Sequence, residues 1–218
     1  MVPGANYSFT PDDVAFLKDT IGQYDMVILQ LEIPMEINEL VAKYAYDKGV
    51  AVMLNSAPSA PLSDDLLSHL AYISPNEHEA ADLTGLQIRK DGKKVNDDDV
   101  KAVVKALQNK GVKNVIITLG SAGAVVANEK EYCYAPCVDV VDVLDPTAAG
   151  DSFVGAFTSG VCAGLSHAQA LDFANYTATL TVSRYGAQPS LPTLDEVIGL
   201  MKEQNFDGFD LALLDPLK

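Results

Sequence analysis

The chain has 218 residues, 48% of them hydrophobic and 21% charged, with a formal net charge of −15. One domain of a soluble globular protein is the default for that size and balance, and no apolar run approaches a membrane span. The acidic excess argues against nucleic acid and anionic membranes as partners, which need a basic face, but it does not exclude a nucleotide, whose phosphates can be held by backbone N–H groups and a divalent cation.

Met1 to Pro11 gives little sign of an opening strand, and no basic region followed by an apolar stretch marks a signal peptide, so a cytoplasmic location is expected. The run Met26 to Leu31 reads as a buried parallel strand. Pro34 opens a helix that Gly49 stops near Lys48. Val50 to Asn55 is a second strand, Leu62 to His69 a short helix, and Ala71 to Ser74 a brief strand. Asn76 then caps a helix through Leu83. Gly85 to Asp97 is polar and reads as a loop. Asp97 to Lys110 is helical, with Val100, Val103, Val104 and Leu107 on one face. Asn114 to Leu119 is a strand, followed by a glycine-bearing turn and a hairpin of Ala124–Ala127 with 131–134. Val138 to Val143 looks strand-like. Helices follow over 148–163, 166–184 and 193–203. Strands alternating with helices predict a mostly parallel sheet covered on both faces, a three-layer α/β/α arrangement.

Cys133, Cys137 and Cys162 are too few and too oddly numbered for a disulfide framework, and no histidine spacing completes a zinc site. They read as reduced and structural, and the three histidines as surface or core residues.

The most informative stretch is Asp145-Pro-Thr-Ala-Ala-Gly-Asp151-Ser-Phe. A helix beginning near Ala148 with small side chains exposes its N–H groups to an anion, and Asp151 in its first turn places a general base beside them. The plain alternative is an ordinary N-capped helix. Thr118-Leu-Gly120-Ser-Ala-Gly123 is a strand and glycine turn that matches neither the Rossmann nor the Walker pattern. Asn76-Glu-His-Glu79 follows a strand; it is either a cap with acids in the first turn or a phosphate and Mg²⁺ site. Gly186-Ala-Gln-Pro-Ser190 is either a C-cap or a loop of oxygen ligands for a cation. Each is weak alone. All four lie at strand or helix ends, where open parallel sheets bind ligands.

Together these residues resemble the ribokinase-like (PfkB) sugar kinase family, over nearly the whole chain apart from a tail at 204–218. The run Asp145–Asp151 resembles the family's D-T-x-x-A-G-D signature, with Pro146 in place of the usual Thr. Asn76–Glu79 resembles its N-x-x-E motif and Thr118–Gly123 its nucleotide turn. Gln30-Leu-Glu32, Asn55-Ser-Ala-Pro58 and Gly186–Ser190 look most like the ribose-specific members.

The resemblance implies ATP, Mg²⁺ and an activating K⁺. Asp151 would be the base that takes the proton from the sugar's primary hydroxyl, and the amides of Ala148, Ala149 and Gly150 an anion hole for the γ-phosphoryl. Asn76 and Glu79 would organise Mg²⁺ through water. Thr118, Leu119, Gly120, Ser121, Ala122, Gly123 and Asn175 would surround the nucleotide, and Glu32 would hydrogen-bond the sugar. Asp145, Thr147, Thr181, Arg184, Gly186 and Ser190 match the potassium positions, Arg184 through its carbonyl.

The resemblance also implies that the family's N-terminal strands, β-rich lid and G-G-x-x-x-N sugar motif are absent; the chain has no G-G pair. Val2 to Asn6 matches a stretch that follows the lid, so the chain is expected to be the C-terminal, nucleotide-binding portion of a single α/β domain. The readings in competition are an ATP-dependent pentose kinase acting on D-ribose, a fragment that binds nucleotide without catalysis, and a kinase for deoxyribose, fructose or a nucleoside. An exposed sheet edge would favour a homodimer or other self-association.

Overall fold

The computed structural model describes residues 4–218, so the Val2–Pro3 part of the segment expected to follow a lid lies outside the described residues. The contacts divide the chain into two compact units: everything to Ile117 with Ala127–Glu131, and Thr118–Val126 with Tyr132–Lys218.

The first unit opens with helical turns. Helix α1 (Pro11–Val14) begins on a proline at its first position, and Asp13 accepts the Thr10 N–H at 2.8 Å. Helix α2 spans Leu17–Thr20. Strand β1 (Met26–Gln30), helix α3 (Met35–Asp47) and strand β2 (Ala51–Asn55) follow close to expectation, with Gly49 in the left-handed region at the helix end. Helix α4 (Asp64–His69) is capped by Ser63, whose hydroxyl accepts the Leu66 N–H at 3.2 Å. Strand β3 (Tyr72–Ser74) and helix α5 (Glu77–Thr84) lead into a two-stranded ribbon, β4 (Lys90–Asp91) with β5 (Lys94–Val95). Helix α6 (Asp97–Gln108) leads to strand β6 (Asn114–Thr118).

The ribbon corrects the expected loop over Gly85–Asp97. Gly92, at φ 59°, takes the first central position of a two-residue turn, where a positive φ matches the twist of the flanking strands. The strands are too short and polar to show alternation in the sequence.

Strands β1, β2, β3 and β6 lie side by side in that order, all parallel. The middle residues of β2, β3 and β6 are buried, Ile73, Ile116 and Ile117 completely. Strand β1 differs from its expected burial: only Leu29 is buried and Ile28 is 47% exposed, because β1 is the outer strand of the order. Helix α3 packs on β1 and β2 and against α4, while α5 packs with α6.

Strands β7 (Ala124–Ala127) and β8 (Tyr132–Ala135) form the expected hairpin, its tip closed by the Asn128 N–H donating to Glu131 O at 3.0 Å. Helices α7 (Ala149–Cys162), α8 (His167–Val182) and α9 (Leu194–Glu203) follow. Ser166 with Gln169 and Thr193 with Glu196 form capping boxes that start α8 and α9. Helices α7 and α8 pack closely, and Phe153 and Phe157 of α7 and Leu171 and Phe173 of α8 are all buried. Residues 204–218, expected as a tail, pack as well: Leu214 is fully buried and Phe206 meets Tyr176 edge-on at 5.5 Å.

Val138 to Val143 is not a strand, contrary to its β-branched pattern. It is an extended strap on α8, with Val140 and Val143 exposed. Its backbone bonds run to the helix instead of a ladder: Thr179 Oγ1 donates to Val138 O at 3.0 Å, and the N–H groups of Leu144 and Asp145 donate to Val182 O at 2.8 and 3.2 Å.

Candidate active site

The strap delivers Asp145 to the end of α8. One Asp145 carboxylate oxygen accepts the Thr147 N–H at 2.9 Å and the other the Gly186 N–H at 2.9 Å. The first bond skips residue 146, so the missing N–H of Pro146 leaves this turn intact. The Thr147 hydroxyl and these two amides hold the Asp145 carboxyl below the ordinary carboxylate range.

After this turn, Ala148 sits in the left-handed region at φ 61°, ψ 9°, unusual for a residue with a Cβ. It stands at the N-cap of α7 without a side-chain cap bond. The plain reading of Asp145 or Thr147 as a helix cap therefore fails: Asp145 bonds one turn too early and reaches across to Gly186. Of the three amides expected to receive an anion, Ala149 donates to Pro146 O at 3.2 Å. Asp151 stands exposed in the first turn of the helix.

Of the residues expected to ligate potassium, Thr181, Arg184, Gly186 and Ser190 lie along the end of α8 and the loop after it, whereas Asp145 and Thr147 precede α7. Arg184 turns its guanidinium to Glu196, with Nη2 at 2.8 Å, so only its backbone is available to a cation. Ser190 is fully buried, and its hydroxyl donates to Ala187 O at 2.7 Å. Thr181 is fully buried, its Oγ1 lying 2.9 Å from Ser152 Oγ and 3.0 Å from Thr177 O. Gly186, at φ 88°, lets the loop turn back to Asp145. The carboxylate of Asp145, the hydroxyls of Thr147, Thr181 and Ser190 and the backbone carbonyls of this segment are hard-oxygen donors, the chemistry a hard cation takes.

The turn at Thr118–Gly123 closes on itself: Leu119 N–H donates to Gly123 O at 2.8 Å and Gly123 N–H to Gly120 O at 3.0 Å. Glycine is required at 123, where φ is 98° and a Cβ would fall 2.1 Å from Ala135 O. Tyr134 OH donates to Ala122 O at 2.6 Å and ties the turn to β8. Asn175 is buried, and its amide nitrogen donates to Ala135 O at 3.3 Å and Pro136 O at 3.0 Å. Its NH₂ group therefore anchors the start of the strap.

The first unit carries its candidate residues along the carboxyl ends of its strands. Gln30, Asn55 and Ser74 stand in register there. Exposed Glu32 follows β1, with its N–H donating to Gln30 Oε1 at 2.7 Å. Asn76 and Glu79 form a complete capping box on α5: Asn76 Oδ1 accepts the His78 and Glu79 N–H groups at 2.9 and 3.0 Å, and Glu79 Oε2 accepts the Asn76 N–H at 2.9 Å. Glu79 Oε1 accepts the Asn76 side-chain amide at 2.9 Å, and Ser56 Oγ lies 3.4 Å from Oε2. Both the cap and the phosphate-site readings stay compatible with this geometry, since a carboxylate offers about four lone-pair positions. Among the described residues no group of three or more His, Cys, Asp or Glu side chains could hold a metal ion. A single buried carboxylate fits a Mg²⁺ that keeps its water shell, the usual habit of that ion beside phosphates.

The other sequence candidates are quieter. His69 and His167 pack against Tyr46 and Phe157 at 4.7 and 6.0 Å between ring centroids. Cys137 and Cys162 are exposed and so do not serve as core packing, whereas Cys133 is half-buried. Sequence reasoning passed over Ser152 and Thr179, whose hydroxyl partners lie 29 and 41 positions away. No local spacing signals such bonds.

Residues 1–194 match the family described as pfkB family carbohydrate kinase. The chain is 38% identical over 195 residues to ribokinase of Staphylococcus aureus (strain COL), covering 89% of this chain and 62% of that one. It is 40% identical over 199 residues to ribokinase of Schizosaccharomyces pombe, covering 90% and 61%. Among solved structures it resembles Arabidopsis thaliana ribokinase complexed with ribose and ATP, with a TM-score of 0.83 and 32% identity over 92% of this chain and 64% of that one. The chain thus spans between 61 and 64% of the length of these relatives. Its mostly parallel sheet with packed helices is the ribokinase-like α/β fold, and the chain belongs to the pfkB family of carbohydrate kinases.

Proposed function

We propose that the protein transfers the γ-phosphoryl group of ATP to the primary hydroxyl of D-ribose, giving ribose 5-phosphate and ADP. The observation that carries this reading is the start of α7. Ala148, in the left-handed region at the N-cap of α7, makes no side-chain cap bond, and Asp151 stands exposed within the same turn. A phosphoryl-transfer catalyst needs positioning, charge stabilisation and a base for the acceptor hydroxyl.

In this mechanism the Asp151 carboxylate takes the proton from the ribose 5-hydroxyl. That oxygen forms a bond to the γ-phosphorus while the bond to the β,γ-bridging oxygen breaks, and the electron pair leaves with ADP. The amides of Ala148, Ala149 and Gly150 receive the charge on the transferring group, Ala149 turning its N–H from Pro146 O. The turn from Thr118 to Gly123 lies against the nucleotide, with Asn175 holding the adjoining strap. Glu32 accepts a hydrogen bond from the sugar. Asn76 and Glu79 would hold the water shell of Mg²⁺, which neutralises phosphate charge. Asp145, Thr147, Thr181, Arg184, Gly186 and Ser190 would hold K⁺, which supplies a fixed positive charge beside the anion-accepting turn.

Supporting ribose over other acceptors are the relatives named ribokinase and the neighbouring structure solved with ribose and ATP. The consumption of ATP points to the cytoplasm as the working compartment. The outer position of β1, with exposed Ile28 and no charge or proline in Met26–Gln30, supports self-association through that edge.

The test measures ATP-dependent phosphorylation of ribose by the chain and by Asp151→Asn. Loss of the base is expected to lower turnover by about 10²- to 10⁴-fold while leaving binding of a non-hydrolysable ATP analogue unchanged. Equal turnover in both proteins would sink the assignment.

A further inference from the structure

We propose that the buried hydroxyl pair of Ser152 and Thr181 is a positioning element that transmits the state of the cation corner at the end of α8 to the anion-accepting turn at the start of α7. The inference rests on the kinase reading above and goes beyond it by naming the side chains that join two parts of the site.

The two hydroxyl oxygens lie 2.9 Å apart, in residues that are 7% and 0% exposed. Ser152 is one residue after the proposed base. Its hydroxyl lies 3.0 Å from Ala149 O and its N–H donates to Ala148 O at 2.9 Å, so it grips the turn whose amides face the anion. Thr181 sits in the last turn of α8, one residue before Val182, whose carbonyl accepts the Asp145 N–H at 3.2 Å. The Asp145 carboxylate in turn holds Gly186. The result is a closed circuit, from Asp145 to Gly186, back along the end of α8 to Thr181, across to Ser152, and through Ala149 and Ala148 to Asp145 again. Any displacement of Thr181 or Gly186 by a cation is therefore felt at Ala148.

Two further observations make the hydroxyl pair the weak link of this circuit. Ser152 lines an open cavity of about 300 Å³ with Ala156, Phe173, Thr177, Leu191 and Val197. The single proton of Thr181 also has a second acceptor, Thr177 O at 3.0 Å. Removing the Ser152 hydroxyl thus leaves no buried donor unpaired, and Ser152→Ala cuts the connection without a desolvation penalty.

The experiment follows amide hydrogen exchange at residues 148–152 in potassium chloride and in tetramethylammonium chloride at equal ionic strength. In the unaltered chain potassium is expected to slow exchange there by about fivefold or more, the low end of ordinary site-to-site coupling. In Ser152→Ala the potassium effect is expected to fall below about twofold, with Thr181→Val behaving alike, the double variant no worse than either, and Thr181→Ser restoring the response. If Thr181→Val fails to fold, Ser152→Ala alone decides. A potassium effect that survives Ser152→Ala overturns the coupling but leaves the cation reading standing. No potassium effect in the unaltered chain overturns both. An effect of Ser152→Ala that is equal in both salts marks a merely structural role and also overturns the proposal.

Discussion

The carboxylate of Asp145 holds the backbone N–H of Gly186 at 2.9 Å, 41 positions away in sequence. One acidic side chain thereby fixes where the strap ends, where the loop after α8 turns, and where α7 begins. The Thr147 N–H takes one carboxylate oxygen, and the other reaches across to Gly186.

Acid should loosen this corner and the neighbouring Arg184–Glu196 pair together. Arg184 and the Thr193 N–H bring the Glu196 carboxyl down from 4.5 to about 2, and the Thr147 hydroxyl with the Gly186 and Thr147 amides lowers Asp145. A carboxyl whose folded pKa is depressed contributes stability that is complete above its unfolded value and is lost as pH falls through the folded one. Stability should therefore fall between pH 4.5 and 2. In Glu196→Gln the dependence of the urea midpoint on pH across that window should be shallower. An unchanged slope contradicts the assignment.

Gly123→Ala should destabilise the protein by about 3 kcal/mol, since a Cβ would need both a strained backbone and a displaced strand. The added atom would fall 2.1 Å from Ala135 O and 2.8 Å from Cys137 N. Gly92→Ala is the control, with φ 59° and no atom within 4 Å of the new Cβ. Its cost should be about 1 kcal/mol, the left-handed penalty alone. Urea unfolding of the two variants separates contact from conformation.

Glu79→Ala distinguishes a helix cap from a phosphate-site residue. Breaking the capping box should lower stability by about 1–2 kcal/mol. If Glu79 also orders the shell of a hydrated Mg²⁺, affinity for an ATP analogue should fall about 10-fold or more in the presence of Mg²⁺ and stay unchanged without it. Calorimetry with and without the ion reads this directly; equal losses in both conditions leave only the cap.

The outer strand β1 should make the chain associate. Ile28 is 47% exposed in a strand with no charged residue. Size-exclusion chromatography across a concentration series should show a shift toward larger species, and Ile28→Lys should abolish it, because an edge lysine blocks strand pairing. A monomer at every concentration in the unaltered chain refutes the association.

Most elements were legible because their signals are local. Asn76, Ser166 and Thr193 start helices through side chains that reach only three residues ahead, so the sequence alone marks them. The interior strands β2, β3 and β6 are short apolar runs with buried middle residues, and their pattern needs no partner to be recognised. The misplaced segments fail for the opposite reason. Val138 to Val143 has strand chemistry, but Thr179 and Val182 of α8 claim its backbone before any strand does. The ribbon at Lys90–Val95 rests on one glycine turn and the Arg89–Asp99 ion pair at 2.7 Å, which no periodicity reveals.

By itself the sequence determined the local frames of the candidate residues: an acid in the first turn of a helix, a glycine turn after a strand, a capping pair on α5. These depend on spacings of a few residues, which sterics and backbone hydrogen bonding convert directly into shape. Only the tertiary structure decided which of these residues hold one another. The grip of Asp145 on Gly186, the left-handed Ala148, the Asn175 and Thr179 clasp on the strap and the Ser152–Thr181 hydroxyl pair all need α8 laid against α7. That packing arises from apolar burial along whole helices, which sets the register of side chains tens of residues apart and leaves no local trace in the chain.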